Sequence, residues 1–238
     1  MKKALSLALA LLLMLSLLTA CGGNTPNGGS STPTTPASDK DGTTGKPDDT
    51  LVFVRRAVEV PGATLDLSDD SIYFVIIDGV KLSLPDSTVQ DFLNAGFNFE
   101  NKDEDKNRMV EAGGSSATGY TLLMKSNTNQ TINISAKNCT DKSIPLKDCT
   151  VTEVQFGTKT YFTGENSAGL DISVVCNLSA GSTEEDVVSV FGEGYSKMMY
   201  ASQLNYMLIN ADAPRGFIFD KDASGNISNI IISRGVDE

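Results

Sequence analysis

The chain reads as an α+β protein of tandem small modules, each a short capped helix packed on an antiparallel sheet. Three observations predict this class. Runs of β-branched and aromatic residues, punctuated by Gly, Pro and Asp, fill residues 51–238. Two short segments open with hydroxyl and acidic residues and continue with apolar side chains at helical spacing. The same order, helix and then strands, occurs twice. Composition is globular: of 238 residues, 40% are apolar and 21% charged, with a net charge of −11 and neither His nor Trp. Zero His excludes Ser-His-Asp and Cys-His nucleophilic sites, His-ligated zinc and the usual general base near neutral pH. The acidic balance argues against nucleic acid as a partner, because a phosphate backbone needs a basic stripe.

The chain starts with an address. Met1-Lys2-Lys3 precedes Ala4 to Leu18, an apolar run broken only by Ser6 and Ser16. A basic start and a run too short to span a bilayer comfortably read as a signal peptide over residues 1–20. The sequence Leu18-Thr19-Ala20-Cys21-Gly22 resembles the lipobox of bacterial lipoproteins, where the Cys is diacylated and becomes the mature N-terminus. The resemblance implies lipidation at Cys21 and a cell-membrane location on the extracytoplasmic face, with the membrane as partner through the lipid. Two acyl chains hold a protein stably where one holds it marginally. Losing Lys2 and Lys3 leaves the mature chain still more acidic, so its surface is not drawn to an anionic leaflet. Residues 21–50 then form the lipidated Cys and a tether. Gly22 to Thr50 has Ala37 as its only apolar side chain and holds Pro26, Pro33, Pro36 and Pro47. Such a segment buries no core and reads as disordered, with a span of about 30 Å. Its composition resembles the tethers of Gram-positive surface lipoproteins.

Elements of the first module, residues 51–165, follow in order. Leu51 to Val54 and Ile72 to Ile77 read as strands, and Asp78-Gly79 makes a tight hairpin turn into the alternating Val80 to Leu84. Pro85 ends that strand. Ser87 to Asn94 reads as a helix with Ser87 and Gln90 as a capping box and Val89, Phe92 and Leu93 on one face. In the second module, residues 166–238, Ser182 to Ser189 repeats that helix, with Ser182 and Glu185 as the box. Each helix is followed by Gly and an aromatic, Gly96-Phe97 and Gly194-Tyr195, and then by β-rich sequence. The two copies end in Val151, Val154, Phe156 and in Ile227, Ile230, Ile232, at the same offsets. The first copy is longer, and the polar stretch Asn101 to Gly119 accounts for the surplus as an insertion loop.

The segment from Gly181 to Val187, with Phe191-Gly192, Phe217 to Asp220 and Ile227 to Ile232, resembles one repeat of the BamE/SmpA and β-lactamase-inhibitor-protein class. Asn138 to Val154 is similar to Gram-positive lipoproteins of unknown function. The resemblance extends over Leu51 to Ser233 through short structural motifs. It implies short helices on a small antiparallel sheet and action by protein–protein contact, and it carries over no functional residue.

Candidate chemistry is sparse. Asp220-Lys221-Asp222-Ala223-Ser224-Gly225 opens like an EF-hand loop, but Ile231 stands where a bidentate Glu is needed, and a hairpin turn accounts for every residue. No metal and no cofactor is expected. Cys139 and Cys149 bracket a turn between strands, which leaves a cross-strand disulfide and free buried thiols as alternatives. Carboxylates fall in runs (Asp103-Glu104-Asp105, Glu184-Glu185-Asp186) that read as solvated faces. Met198, Met199, Tyr200, Tyr206 and Met207 crowd the second module's strands. Strand alternation turns neighbours to opposite sides, so Met198, Tyr200, Tyr206 and Met207 are the candidates for partner binding. The expectation is a lipid-anchored extracytoplasmic protein that binds an envelope protein or polymer without catalysis. The alternatives are a carboxylate-dependent envelope hydrolase and a solute-binding lipoprotein.

Overall fold

Strand pairing dominates the chain, as the α+β class requires. The computed structural model describes residues 54–116, 121–126, 128–158, 167–193, 202–208 and 213–236. Its first elements are β1 (Phe74–Ile77) and β2 (Val80–Ser83), joined by Asp78 and Gly79 at φ 49° and 83°. Two consecutive left-handed residues form the hairpin turn that matches strand twist, so the Asp-Gly reading holds. After α1 (Val89–Asn94) come β3 (Phe97–Phe99), α2 (Lys102–Asp105), β4 (Met109–Val110), β5 (Thr121–Lys125) and β6 (Thr131–Lys137). The chain continues through β7 (Ile144–Pro145), β8 (Thr150–Gly157), β9 (Ile172–Ser173) and α3 (Glu184–Phe191). It ends with β10 (Gln203–Leu208), β11 (Arg215–Lys221) and β12 (Ile227–Arg234).

Seven strands form one antiparallel sheet in the order β10-β11-β12-β8-β6-β5-β3. A smaller sheet has the order β2-β1-β9, and β4 pairs with β7. One face of the large sheet carries Phe217, Phe219, Ile230, Ile232, Val154, Phe156, Ile132, Ile134 and Leu123, all fully buried. Val89 and Phe92 of α1 and Val187, Val190 and Phe191 of α3 belong to the same core. The Phe191 ring sits 5.0 Å from that of Phe217 and 5.7 Å from that of Phe219, which fixes α3 on the sheet.

The centre of the sheet is symmetric in register. Ile230 pairs with Phe156, Ile231 with Gln155 and Ile232 with Val154. Residues at matching offsets in the two copies therefore pair crosswise about Gln155 and Ile231. The carbonyl of Ser87 accepts from Val151 N–H at 2.8 Å, and that of Ser182 accepts from Ile227 N–H at 2.7 Å. Both stretches, 51–165 and 166–238, supply strands to this one sheet, and β9 of the later stretch pairs with β1 of the earlier. The described residues from Val54 onward belong to one compact unit.

Two local expectations are corrected, and a third falls mostly outside the described residues. The helix caps lie one residue later than Ser87 and Ser182: Thr88 and Thr183 are the N-caps, with Asp91 and Asp186 three residues on. Asp186 Oδ2 accepts from Thr183 N–H at 2.7 Å while Thr183 Oγ1 accepts from Asp186 N–H at 3.1 Å. The shift follows because Ser87 and Ser182 are buried and their carbonyls join the strand pairing, which leaves the next residue to turn the chain. The stretch from Asn101 is not a plain loop, since α2 and β4 form within it and β4 finds β7. Residues 51–53 of the first expected strand lie outside the described residues, and Val54 belongs to no strand. The segment beyond it is held instead by Glu59 N–H on Cys176 O at 3.0 Å and by Arg55 on Asp186 at 2.6 Å. Arg56 adds a fork onto Asp171.

Candidate functional site

A groove of about 580 Å³ lies where α1, β3 and α2 meet. Leu93 from α1 and the outer edge of β3, Phe97 to Phe99, line it, and its rim carries Lys102, Lys106 and Lys147. Local sequence explains each position. Gly96, at φ 94°, ends α1 and turns the chain straight into β3. The Phe97 and Phe99 side chains point into the core, at 2% and 6% exposure, which makes the three-residue strand rigid. The next helix, α2, then brings Lys102 over the strand, with Lys106 one turn later. Lys147 comes from the turn after β7.

Electrostatics distinguish this groove in an acidic protein. Two lysines elsewhere are engaged: Lys125 is 2.6 Å from Asp78, and Lys221 is 2.7 Å from Glu184. Among the described residues, Lys102, Lys106 and Lys147 form no ion pair. One carboxylate, Asp103, shares the lining. The nearby Asp105 is taken by Arg108 at 2.9 Å, and partial burial raises its carboxyl above the usual range against the pull of Arg108. Three ammonium groups on stems beside Leu93 can hold an anion that also has some apolar surface.

A second recess, of about 230 Å³, opens on the opposite face of the large sheet. Ser135, Lys137, Glu153 and Ser233 line it, and Ser233 Oγ donates to Glu153 Oε2 at 2.7 Å. Deeper on that face lies a buried polar ladder. Asn133 Nδ2 donates to Gln155 Oε1 at 3.3 Å, and Asn229 Nδ2 donates to Asp220 Oδ2 at 3.0 Å. Among the described residues, Asn133 Oδ1, Gln155 Nε2, Asn229 Oδ1 and Asp220 Oδ1 find no partner. Such buried polar atoms are costly to leave unpaired.

Of the residues singled out from sequence, Tyr206, Met207, Cys139 and Cys149 are among the described residues. Tyr206 is corrected from partner surface to core: it is 5% exposed, its ring lies 4.9 Å from Phe191, and its hydroxyl donates to Gly192 O at 2.7 Å. The reason is strand parity, which puts Tyr206 beneath α3 with Leu204 and Phe219. Met207, half-buried, takes the other side of β10 and lies over Gly216. Met198, Met199, Tyr200 and Cys21 lie outside the described residues. Cys139 and Cys149 are both free thiols, the first exposed and the second buried. Burial first, then the charge of Asp148, pushes the Cys149 thiol up to about 11, so it is inert as a nucleophile at neutral pH. The EF-hand-like stretch is the β11–β12 hairpin turn, with Asp222 Oδ1 accepting from Ser224 and Asn226 N–H at 2.8 and 3.0 Å.

Sequence reasoning missed the groove. Its one available signal was the i, i+4 pair Lys102 and Lys106, which a loop assignment hides. No helix among the described residues is long and apolar enough to cross a membrane. No protein-family model, curated protein or solved structure matches the chain.

Proposed function

We propose that this protein is a lipid-anchored, extracytoplasmic envelope protein that acts without catalysis, holding an envelope protein or polymer in the lysine-rimmed groove beside β3. The observation that carries the reading is that groove: three ammonium groups without an ion pair among the described residues, beside Leu93 and the edge of β3, on a chain whose net charge is −11. An isolated basic site on an acidic protein is oriented by the surrounding field, so an anionic partner meets it in one pose. The basic start, apolar run and Cys21 support the anchor, and the Pro- and Gly-rich tether supports a domain lifted from the membrane. The crosswise register of β8 and β12 supports an internal duplication as the origin of the sheet.

Two measurements test the proposal. Cys21→Ala releases the protein from membranes or leaves its leader uncut; membrane-bound, lipid-labelled Cys21→Ala protein overturns the anchor. A photo-crosslinking residue at Lys106 in living cells gives an envelope adduct that disappears when Lys102 and Lys147 become Glu. Adducts only from sites on other faces would overturn the groove.

A further inference from the structure

The groove has a wall that charge alone does not explain, because β3 is an open edge. Among the described residues it is the last strand of the seven-stranded sheet and pairs only with β5. Ser126 N–H donates to Gly96 O at 2.9 Å, and Glu100 N–H donates to Leu122 O at 3.2 Å. Those two bonds bracket β3. In antiparallel alternation, Asn98 then exchanges its main-chain bonds with Met124, and the N–H and C=O groups of Phe97 and Phe99 point away from β5. Two donors and two acceptors therefore face the groove in a row. Their side chains lie in the core, so the row is held at fixed spacing.

We infer that the groove takes an extended acidic peptide segment of a partner protein, which adds to β3 as a further strand and sets alternate carboxylates against Lys102, Lys106 and Lys147. This rests on the binding reading of the groove given above and names its ligand. An added strand satisfies the free main-chain groups of Phe97 and Phe99, which is how extended peptides gain affinity at a sheet edge. Its side chains alternate, so every second residue lies on the side of Leu93 and the lysines, about 6.8 Å apart. Acidic residues at those positions meet three ammonium groups against the single carboxylate of Asp103. A second copy of this chain is the wrong occupant. Pairing β3 with β3 would bring two sets of three lysines together, the like-charge device that keeps edges apart.

The test uses the full-length protein in detergent and a dye-labelled synthetic heptapeptide of alternating Glu and Val, read by fluorescence anisotropy. A second peptide carries N-methyl groups on the residues whose N–H would bond to β3, and a third replaces Glu by Lys. The Glu–Val peptide is expected to bind. N-methylation should weaken it at least about tenfold, and so should the combined substitution Lys102→Glu, Lys106→Glu and Lys147→Glu. All three positions are exposed, and an unchanged circular dichroism spectrum confirms that the variant is folded. The Lys–Val peptide should not bind. Equal affinity of the N-methylated peptide overturns strand addition. Inorganic polyphosphate binding in a lysine-dependent way, with no peptide binding, also overturns it while leaving the broader binding reading in place. Failure of both probes, with no adduct at Lys106, overturns the two together.

Discussion

Asp70 joins three elements through one carboxylate. It opens a single 3-10 turn, Asp70–Ile72, and reaches the far ends of two strands. Arg234 at the end of β12 donates Nε to Asp70 Oδ1 at 2.7 Å and Nη2 to Oδ2 at 3.0 Å, while Arg215 of β11 lies 3.4 Å away. The Arg234 side chain is only 5% exposed, whereas that of Asp70 is 56% exposed. A buried guanidinium thus depends on a carboxylate that water can reach. Hydrogen bonding from Arg234 holds the Asp70 carboxyl below the usual range, and burial opposes it. Since the folded pKa is the lower one, the contribution to stability is complete above the unfolded carboxylate pKa of about 4 and fades as pH falls through the folded value. Asp70→Asn should lower the melting temperature at pH 7, with a cost on the order of 1 kcal/mol. The difference from the parent should shrink as pH drops below about 4. A difference independent of pH, followed by thermal melts across that window, would show that the pair does not act through charge.

At the scale of elements, the helix starts repay separate scrutiny. Thr88 and Thr183 end the strand-like entry and cap α1 and α3, with Asp91 and Asp186 as reciprocal acceptors. Burial works against ionised Asp186, yet the hydrogen bonds from Thr183, followed by Arg55, hold its carboxyl low. Thr183→Ala should cost about 1 kcal/mol, and Thr88→Ala a similar amount. Gln90→Ala and Glu185→Ala, at the positions a Ser-based box would use, should stay within about 0.5 kcal/mol. Denaturant midpoints compare the four; equal losses at Glu185 and Thr183 would restore the Ser-based assignment. The helices themselves were legible because Val89 and Phe92, and Val187, Val190 and Phe191, repeat at helical spacing. Their caps were not, because two hydroxyls stand side by side and only the pairing of Val151 with Ser87 and of Ile227 with Ser182 decides between them. The same non-locality hides the groove. β3 is three residues long and exists through its pairing with β5, more than twenty residues away, and Lys147 arrives from beyond β7. Tyr206 was misassigned for a related reason, since alternation says that Tyr206 and Met207 differ without saying which of them faces α3.

For the whole molecule, the decisive feature is that the sheet has no seam. A boundary between residues 165 and 166 severs the β12–β8 pairing at the centre of the large sheet and the β1–β9 pairing of the small one. Residues 51–165 alone would keep β8 as a bare edge, with Val154 and Phe156 stripped of Ile232 and Ile230. Residues 166–238 would keep a three-stranded meander, β10-β11-β12, beneath α3, with Ile230 and Ile232 at its open edge. Side chains such as Phe156 and Ile232 are fully buried in the intact chain, and exposing each large apolar group costs about 1.5–3 kcal/mol. Losses at Val154, Phe156, Ile230 and Ile232 together come to about 6–12 kcal/mol, comparable with the whole 5–15 kcal/mol that holds a domain together. Open central strands with apolar neighbours also invite edge-to-edge association. The two pieces expressed separately should therefore be unfolded or aggregated, and mixing them during refolding should restore one cooperative transition. Strand pairing that is local within each half, β5-β6-β8 and β10-β11-β12, lets each piece form its meander before the central contact is made. If either piece alone melts cooperatively with a dispersed amide spectrum, the halves are independent domains, and the crosswise register about Gln155 and Ile231 is a docking of finished units.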